Sequence, residues 1–433
     1  MPPTGQDSTL PSASRKNGVF PQQRAGFFAG VLFLLLFSGP PKFRLRDPTA
    51  SLSGELDLSL IVNIIVWLMG GLWVVCQLYR MHRGTRPGLR LRFPQKMAAL
   101  VILLLGASTL VSIAPAVTAF KAYQILVAFL FSLIFAEWYG IETCLNRLFL
   151  GSTLLCLAIA LSVVVAPDLV LFPTETGALR LRGLGITEAA FAATLAIVLL
   201  MTTRRKLSAP VFFFLGACFC AILLFSLGRI AWLAVGIVFA VAAVKRPNIR
   251  TLPWVYAFWG LAAVALAAGL FGGLSEYRDP DTVYTLSGRL GLWAFLVSST
   301  VTGSPWLGFG YLAGTRNLGM EYDPLLGSGH SIFLDVFVGG GLLSLIVFVV
   351  LVVVLTVRTV KLLRNRNDAV SFAVGSLFLV FLLFAFVGED IDSSPFGFTF
   401  WALVTMLSLI RIRAPEKLDP AFQGDSLVVT STG

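Results

Sequence analysis

Long apolar stretches separated by short polar punctuation dominate this chain. Most approach the roughly 20 residues that a helix needs to cross a hydrocarbon layer, and none alternates as a half-buried strand would. They fall near residues 25–38, 57–79, 97–117, 122–139, 148–170, 186–203, 209–227, 230–244, 253–274, 331–357, 369–388 and 395–411. The pattern predicts an all-α integral membrane protein of about twelve transmembrane helices. Spans seven and eight are divided only by Gly228 and Arg229, which predicts a tight hairpin. The first segment follows Arg15, Lys16 and Arg24 and is followed by Pro40 and Pro41 with no Ala-x-Ala site, so it reads as an uncleaved anchor.

Composition agrees and narrows the class. Hydrophobic residues make up 57% of the 433 and charged residues only 13%, with 36 Phe and a mean hydropathy of +0.86. Such a chain cannot cover itself with polar surface, which excludes a soluble enzyme, a secreted disulfide scaffold and a disordered protein. Cys76, Cys156, Cys218 and Cys220 lie in apolar stretches, Cys144 is expected in a short connection, and no Cys-x-x-Cys pair occurs. They read as buried thiols. With His82 and His330 as the only histidines, a metal site has little to build from.

The net charge of +11 concerns sidedness before partners. With the N-terminus inside and alternate loops assigned inward, 23 of the 33 basic residues lie on one side. That bias predicts cytoplasmic N- and C-termini, and no nucleic acid partner is expected. The resulting layout is a cytoplasmic tail at 1–24, nine spans over 25–274, an outer segment at 275–330, three spans over 331–411 and a second tail at 412–433. The outer segment, some 56 residues long, stands out among short connections. Its aromatics Trp293, Phe295, Trp306, Phe309 and Tyr311 argue for amphipathic helices lying at the outer interface and capping a cavity.

The chemistry-bearing residues are the few outer charges. Arg180 and Arg182 precede span six, Arg229 sits between two spans, and Arg289 lies in the long segment. None has an acidic residue within four positions. Guanidinium groups are planar, permanent, bidentate donors suited to phosphate, so convergence of these clusters would form a diphosphate clamp. The plainer alternative is that each reaches for lipid headgroups. His330, in GSGHSIF, reads either as a packing residue or as a base for an attacking hydroxyl. Asp335, Glu389 and Glu188 are supporting candidates, although Asp335 is five residues past His330, an indifferent spacing on a helix. LGFGYLAG (307–314) follows no strand and so makes no phosphate loop, and GGG at 339–341 reads as close helix packing.

Taken together, LSGRLGLWAFLVSSTVTGSPWLGFGY (286–311) and GHSIFLDVFVGGGL (329–342) resemble the signature region of the O-antigen ligase and polymerase superfamily. The matching residues are Gly288, Arg289, Trp293, Pro305, Gly308, Gly310, His330, Leu334 and Gly341. SLGRIAWLAVGI (226–237) is similar to its Ser-Arg-x-x-Trp element, and LRGLGITEAAFAATLAI (181–197) to its Arg-Gly element. The chain departs from the pattern at Ile186, Thr187, Glu188, Gly339 and Ser344, changes that bear on acceptor recognition.

The resemblance implies a GT-C-like fold in the bacterial inner membrane with a periplasmic active site. It implies transfer of a glycan en bloc from undecaprenyl diphosphate to an acceptor hydroxyl, without metal or cofactor and with inversion. Arg182, Arg229, Arg289 and Arg180 would hold the donor diphosphate, and His330 would activate the acceptor, with Trp293, Asp335 and Glu389 in support. The acceptor is lipid A-core for a ligase, or a lipid-linked repeat for an exopolysaccharide or O-antigen polymerase, with a chain-length regulator as a further partner. A multispan transporter or flippase, which broken helices at mid-bilayer would favour, and a non-catalytic assembly partner stay open beside it.

Overall fold

The computed structural model describes residues 19–39, 58–85, 88–173, 179–181, 188–202, 207–226, 228–245, 289–323, 329, 331–365, 368–387 and 395–411. The expected span at 253–274 and the polar tail at 412–433 lie outside the described residues, as does most of the first tail, whose last residues join a helix starting at Val19.

The described chain is helical apart from one small ribbon. In order the helices are α1 (Val19–Ser38), α2 (Leu58–His82), α3 (Phe93–Ala107), α4 (Pro115–Tyr139), α5 (Ile141–Val165), the single turn α6 (Pro167–Val170), α7 (Glu188–Thr202), α8 (Ala209–Phe225), α9 (Arg229–Lys245), α10 (Arg289–Gly303), α11 (Ala313–Tyr322), α12 (Ile332–Asn365), α13 (Ala369–Val387) and α14 (Phe396–Leu409). Between α6 and α7 the strands β1 (Leu171–Pro173) and β2 (Leu179–Leu181) pair antiparallel, with Phe172 opposite Arg180. Six helices are long and apolar enough to cross a membrane, and five shorter apolar ones accompany them among the described residues.

Burial shows which helices face lipid. On α2, Ile61, Ile65, Leu68, Leu72 and Val75 form one exposed apolar stripe, while Val66, Trp67, Trp73 and Val74 face inward. By contrast α14 is buried on every side from Phe396 to Ser408, and α7 from Ala189 to Leu200. These two helices form the centre. Fourteen residues of α14 rise only about 21 Å, short of a hydrocarbon core, which costs nothing where protein rather than lipid surrounds the ends.

Because lipid is as apolar as Leu, packing rather than water exclusion holds such helices together. Here much of that packing is aromatic. Phe33 of α1 meets Phe135 of α4 and Phe398 of α14, each at 4.9 Å between ring centroids, and Trp73 of α2 meets Phe131 at 4.5 Å. On the other flank Phe381 of α13 stacks on Phe396 and Phe400 of α14 at 4.7 and 4.6 Å.

Cys144 corrects the sequence reading: it lies inside α5, buried, because the turn between α4 and α5 is a single residue, Gly140 at φ +85°. Cys156 is buried as expected, Cys218 and Cys220 only half so, and Cys76 is exposed on α2. The segment 97–117 is not one helix either. It ends in a 3-10 turn, Ser108–Val111, and α4 restarts at Pro115.

The two ends of the bundle differ. At one end, which carries the basic segment 80–96, α3 begins, α14 ends and the last turns of α12 arrive. There Arg92 donates to the carbonyls of Ser408 and Leu409 (2.6 and 2.7 Å), and Arg358 to those of Leu407 and Ile410 (3.1 and 3.0 Å). At the opposite end lie the 3-10 turn, the α10–α11 connection and the start of α12.

Candidate functional site

At that opposite end α12 is opened rather than continuous. Gly341 has φ 69° and ψ −171°, a conformation reserved for glycine, and the helix axis kinks there. A helix opened in an apolar setting must re-satisfy its freed backbone groups. The loop after α10 does so. Phe309 N–H donates to Val338 O at 2.8 Å, Gly310 N–H to Gly339 O at 3.0 Å, and Leu342 N–H to Pro305 O at 2.8 Å. The carbonyls of Val338 and Gly339 thus exchange their helical partners for the Pro-x-x-Gly-x-Gly loop.

The approach is too close for side chains. A Cβ on Gly341 would strike the backbone of Trp306 and Leu307, and one on Gly308 would lie 2.5 Å from Val338 O. These contacts correct two sequence readings. The GGG run is a helix opening and not merely helix packing, and the stretch 307–314 supplies part of the loop that closes the opening.

The loop is held from behind by the α3–α4 turn. Tyr311 N–H donates to Ser108 Oγ (3.1 Å), Thr118 Oγ1 to Tyr311 O (3.3 Å) and Ile113 N–H to Phe309 O (3.2 Å). Tyr311 is fully buried. Leu312, the residue before α11, has φ +62°, a strained conformation outside glycine that the surrounding bonds hold in place.

The long segment is helical over α10 and α11, but of its expected helical aromatics only Trp293 and Phe295 lie on a helix, while Trp306, Phe309 and Tyr311 lie in the loop between them. On α10 the stripe Leu292, Leu296 and Thr300 is buried, while Leu290, Val297 and Val301 are exposed. Phe295 meets Tyr322 of α11 at 5.5 Å. Arg289 is the first residue of α10 and half-buried. One turn on, Trp293 donates its indole N–H to Gly329 O at 2.9 Å.

Gly329 is buried and immediately precedes His330, which itself lies outside the described residues. Its far side is filled by α11 and α12, since a Cβ there would lie 2.7 Å from Asp335 Oδ1 and 3.0 Å from Thr315 Cγ2. Asp335 is fully buried in the first turn of α12, where the positive end of the helix dipole favours a carboxylate. Helical spacing could not reveal this contact, because a residue six positions before Asp335 does not share its helical face. Trp293→Phe removes the bond to Gly329 while keeping the ring. We expect it to cost about 1 kcal/mol and to loosen the segment carrying His330, seen as faster amide exchange at 329–331 with α4 unchanged.

The second arginine group is seen in backbone only. Arg180 lies in β2 and Arg229 opens α9, but their side chains are outside the described set, as are Arg182 and Glu389 altogether and the side chain of Glu188. The hairpin before Arg229 is as tight as predicted: α8 ends at Phe225, α9 begins at Arg229, and Trp232 Nε1–H donates back to Leu223 O at 2.9 Å. Trp232 therefore closes this hairpin.

Packing connects both groups at one end of the molecule. A Cβ on Gly228 would lie 3.0 Å from Ala190 of α7. Next to Ala190, Phe191 meets Phe384 of α13 at 5.2 Å. Two residues on, Phe386 meets Phe333 of α12 at 5.0 Å, three residues after His330. Among the described residues no group of three or more His, Cys, Asp or Glu could hold a metal ion.

Fold and site together define a helical multi-pass membrane protein in which an opened helix and the α10–α11 loop are hydrogen-bonded into one unit. No protein-family model matches the chain, and no curated protein matches it.

Proposed function

We propose that this protein is a lipid-diphosphate-dependent glycan transferase of the bacterial inner membrane, with about twelve spans, a GT-C-like arrangement, cytoplasmic termini and a periplasmic site. The observation that carries the reading is the joining of the Arg289 helix, the Pro305–Gly310 loop and the His330 segment through Trp293–Gly329 and the opened turn at Gly341. Those are the elements in which the chain resembles O-antigen ligases and polymerases.

In this reading the acceptor hydroxyl gives its proton to His330 as its oxygen attacks the anomeric carbon. The carbon–oxygen bond to the donor diphosphate breaks with inversion, and the lipid diphosphate leaves with both bonding electrons. Arg289, with Arg182, Arg229 and Arg180, neutralises the leaving group, a task that needs no metal because diphosphate departs readily once its charge is balanced. Asp335 and Trp293 hold the segment that carries His330, and Glu389 supports acceptor binding.

Transport is the second reading, and the opened α12 is the observation that favours it. The opening lies near the end of the bundle, however: Gly340 abuts Leu105 in the last turn of α3. From Leu342 onward α12 still rises about 36 Å, enough to span alone. A substrate path through mid-bilayer gains nothing from such a break.

The test is made in cells lacking the endogenous protein. With wild type restored and His330→Ala inserted at equal level, the variant is expected to accumulate donor. Lipid-linked polymer accumulating indicates ligase, and single lipid-linked repeats indicate polymerase. Normal glycan addition by His330→Ala contradicts the catalytic reading.

A further inference from the structure

The basic end of the bundle holds a feature that the transfer reaction does not use. Helix α14 ends with four carbonyls that have no partner within the helix. Two arginines, Arg92 just before α3 and Arg358 of α12, take all four: Arg358 bonds the outer pair, Leu407 and Ile410, and Arg92 the inner pair, Ser408 and Leu409. Consecutive carbonyls on one helix end lie a few ångströms apart, so the two guanidinium groups are held side by side.

As a cap this is over-provided. A helix C-terminus carries on the order of half a negative charge, so one cation would offset it, and about one and a half positive charges remain uncompensated. Neither guanidinium bonds a carboxylate among the described residues, and both are only half-exposed. The faces turned away from α14 keep N–H donors that find no acceptor among the described residues, since four of the ten donors are spent on the carbonyls. One turn from Arg92, the fully buried Gln95 accepts the Arg92 backbone N–H on Oε1 at 2.8 Å, while its Nε2 has no acceptor. Around the pair stand the exposed Arg90, Lys96 and Lys361. Two like charges fixed at short range, ringed by more of the same sign and short of acceptors, call for an anion.

We infer that Arg92 and Arg358 form a binding site for the phosphate group of an anionic phospholipid, which bridges α3 and α12 across the end of α14. The pair lies where helices meet the headgroup layer, and a phosphodiester offers two acceptor oxygens to two planar donor forks. The site differs from an ordinary basic loop in being preorganised: the carbonyls of α14 fix both guanidinium planes before lipid arrives.

The experiment compares the purified full chain in bilayers of phosphatidylcholine alone and with phosphatidylglycerol added, following thermal unfolding. Anionic lipid is expected to raise the midpoint by about 4 °C. In Arg92→Gln/Arg358→Gln that increment falls to under a third, whereas Arg80→Gln/Arg83→Gln, with the same loss of charge at the exposed end of α2, keeps it. Should the double glutamine variant not fold, Arg358→Gln alone is expected to halve the increment, and native mass spectrometry counts retained phosphatidylglycerol. An equal increment in wild type and Arg92→Gln/Arg358→Gln, or an equal loss in Arg80→Gln/Arg83→Gln, overturns the site. Full stabilisation by inorganic phosphate in phosphatidylcholine overturns the lipid assignment.

Discussion

Gly341→Ala is expected to abolish function and to lower the yield of folded protein, although it adds a single methyl group. Two costs combine. The φ of 69° with ψ near 180° excludes a side chain by about 1–3 kcal/mol, and the methyl group would collide with the backbone of Trp306 and Leu307, which cannot rotate away. Relief requires the loop to leave the opened turn, breaking the bonds of Phe309, Gly310 and Leu342 and orphaning their groups in an apolar setting. A glycine in α9 supplies the control. Gly236 meets nothing within 4 Å, so Gly236→Ala is expected to match wild type in thermal unfolding and in glycan transfer. Full activity of Gly341→Ala at normal expression contradicts the opened helix as a functional element.

The second large effect concerns Arg289. If the guanidinium neutralises a departing diphosphate, Arg289→Ala is expected to lower kcat/KM on the order of 10²–10³-fold, or about 3–4 kcal/mol of transition-state stabilisation. Arg289→Lys keeps the charge but loses the planar fork, and should recover only part of that loss. The loss should fall mainly on kcat, because the charge to be balanced grows as the bond breaks. Folding should be unaffected, since Arg289 begins α10 and is half-exposed. Equal activity of Arg289→Ala and wild type removes Arg289 from the site.

Several of the apolar helices were readable because lipid imposes one simple rule on length and composition. The segment at 209–227 became Ala209–Phe225, and that at 369–388 became Ala369–Val387. The tight turn before Arg229 was readable for the same reason, since nothing polar remained to make a longer loop. What hydropathy could not show was pairing across sequence. The bonds between Pro305–Gly310 and Val338–Leu342 join segments more than 25 residues apart, and no local pattern encodes them.

The glycines at 339–341 look alike in sequence, and only backbone geometry separates Gly341 as the residue that opens α12. Arg92 and Arg358 merged into the basic bias of their loops, where charge counting hides that both cap a single helix. Of the candidate site, Arg289, Trp293, His330 and Asp335 could be singled out in the sequence, and the structure adds the Trp293–Gly329 bond and the packing of Asp335 and Thr315 against Gly329.

The central claim, glycan transfer from a lipid diphosphate, is tested most directly with purified protein in a bilayer. The donor is an undecaprenyl-diphosphate-linked glycan, the acceptor a glycolipid or a second lipid-linked glycan, and a chelator is present throughout. The expected result is release of undecaprenyl diphosphate in step with a new glycosidic bond of inverted anomeric configuration, lost by at least about 100-fold in His330→Ala. Transfer at equal rates in wild type and His330→Ala, or no transfer with either acceptor, would contradict it.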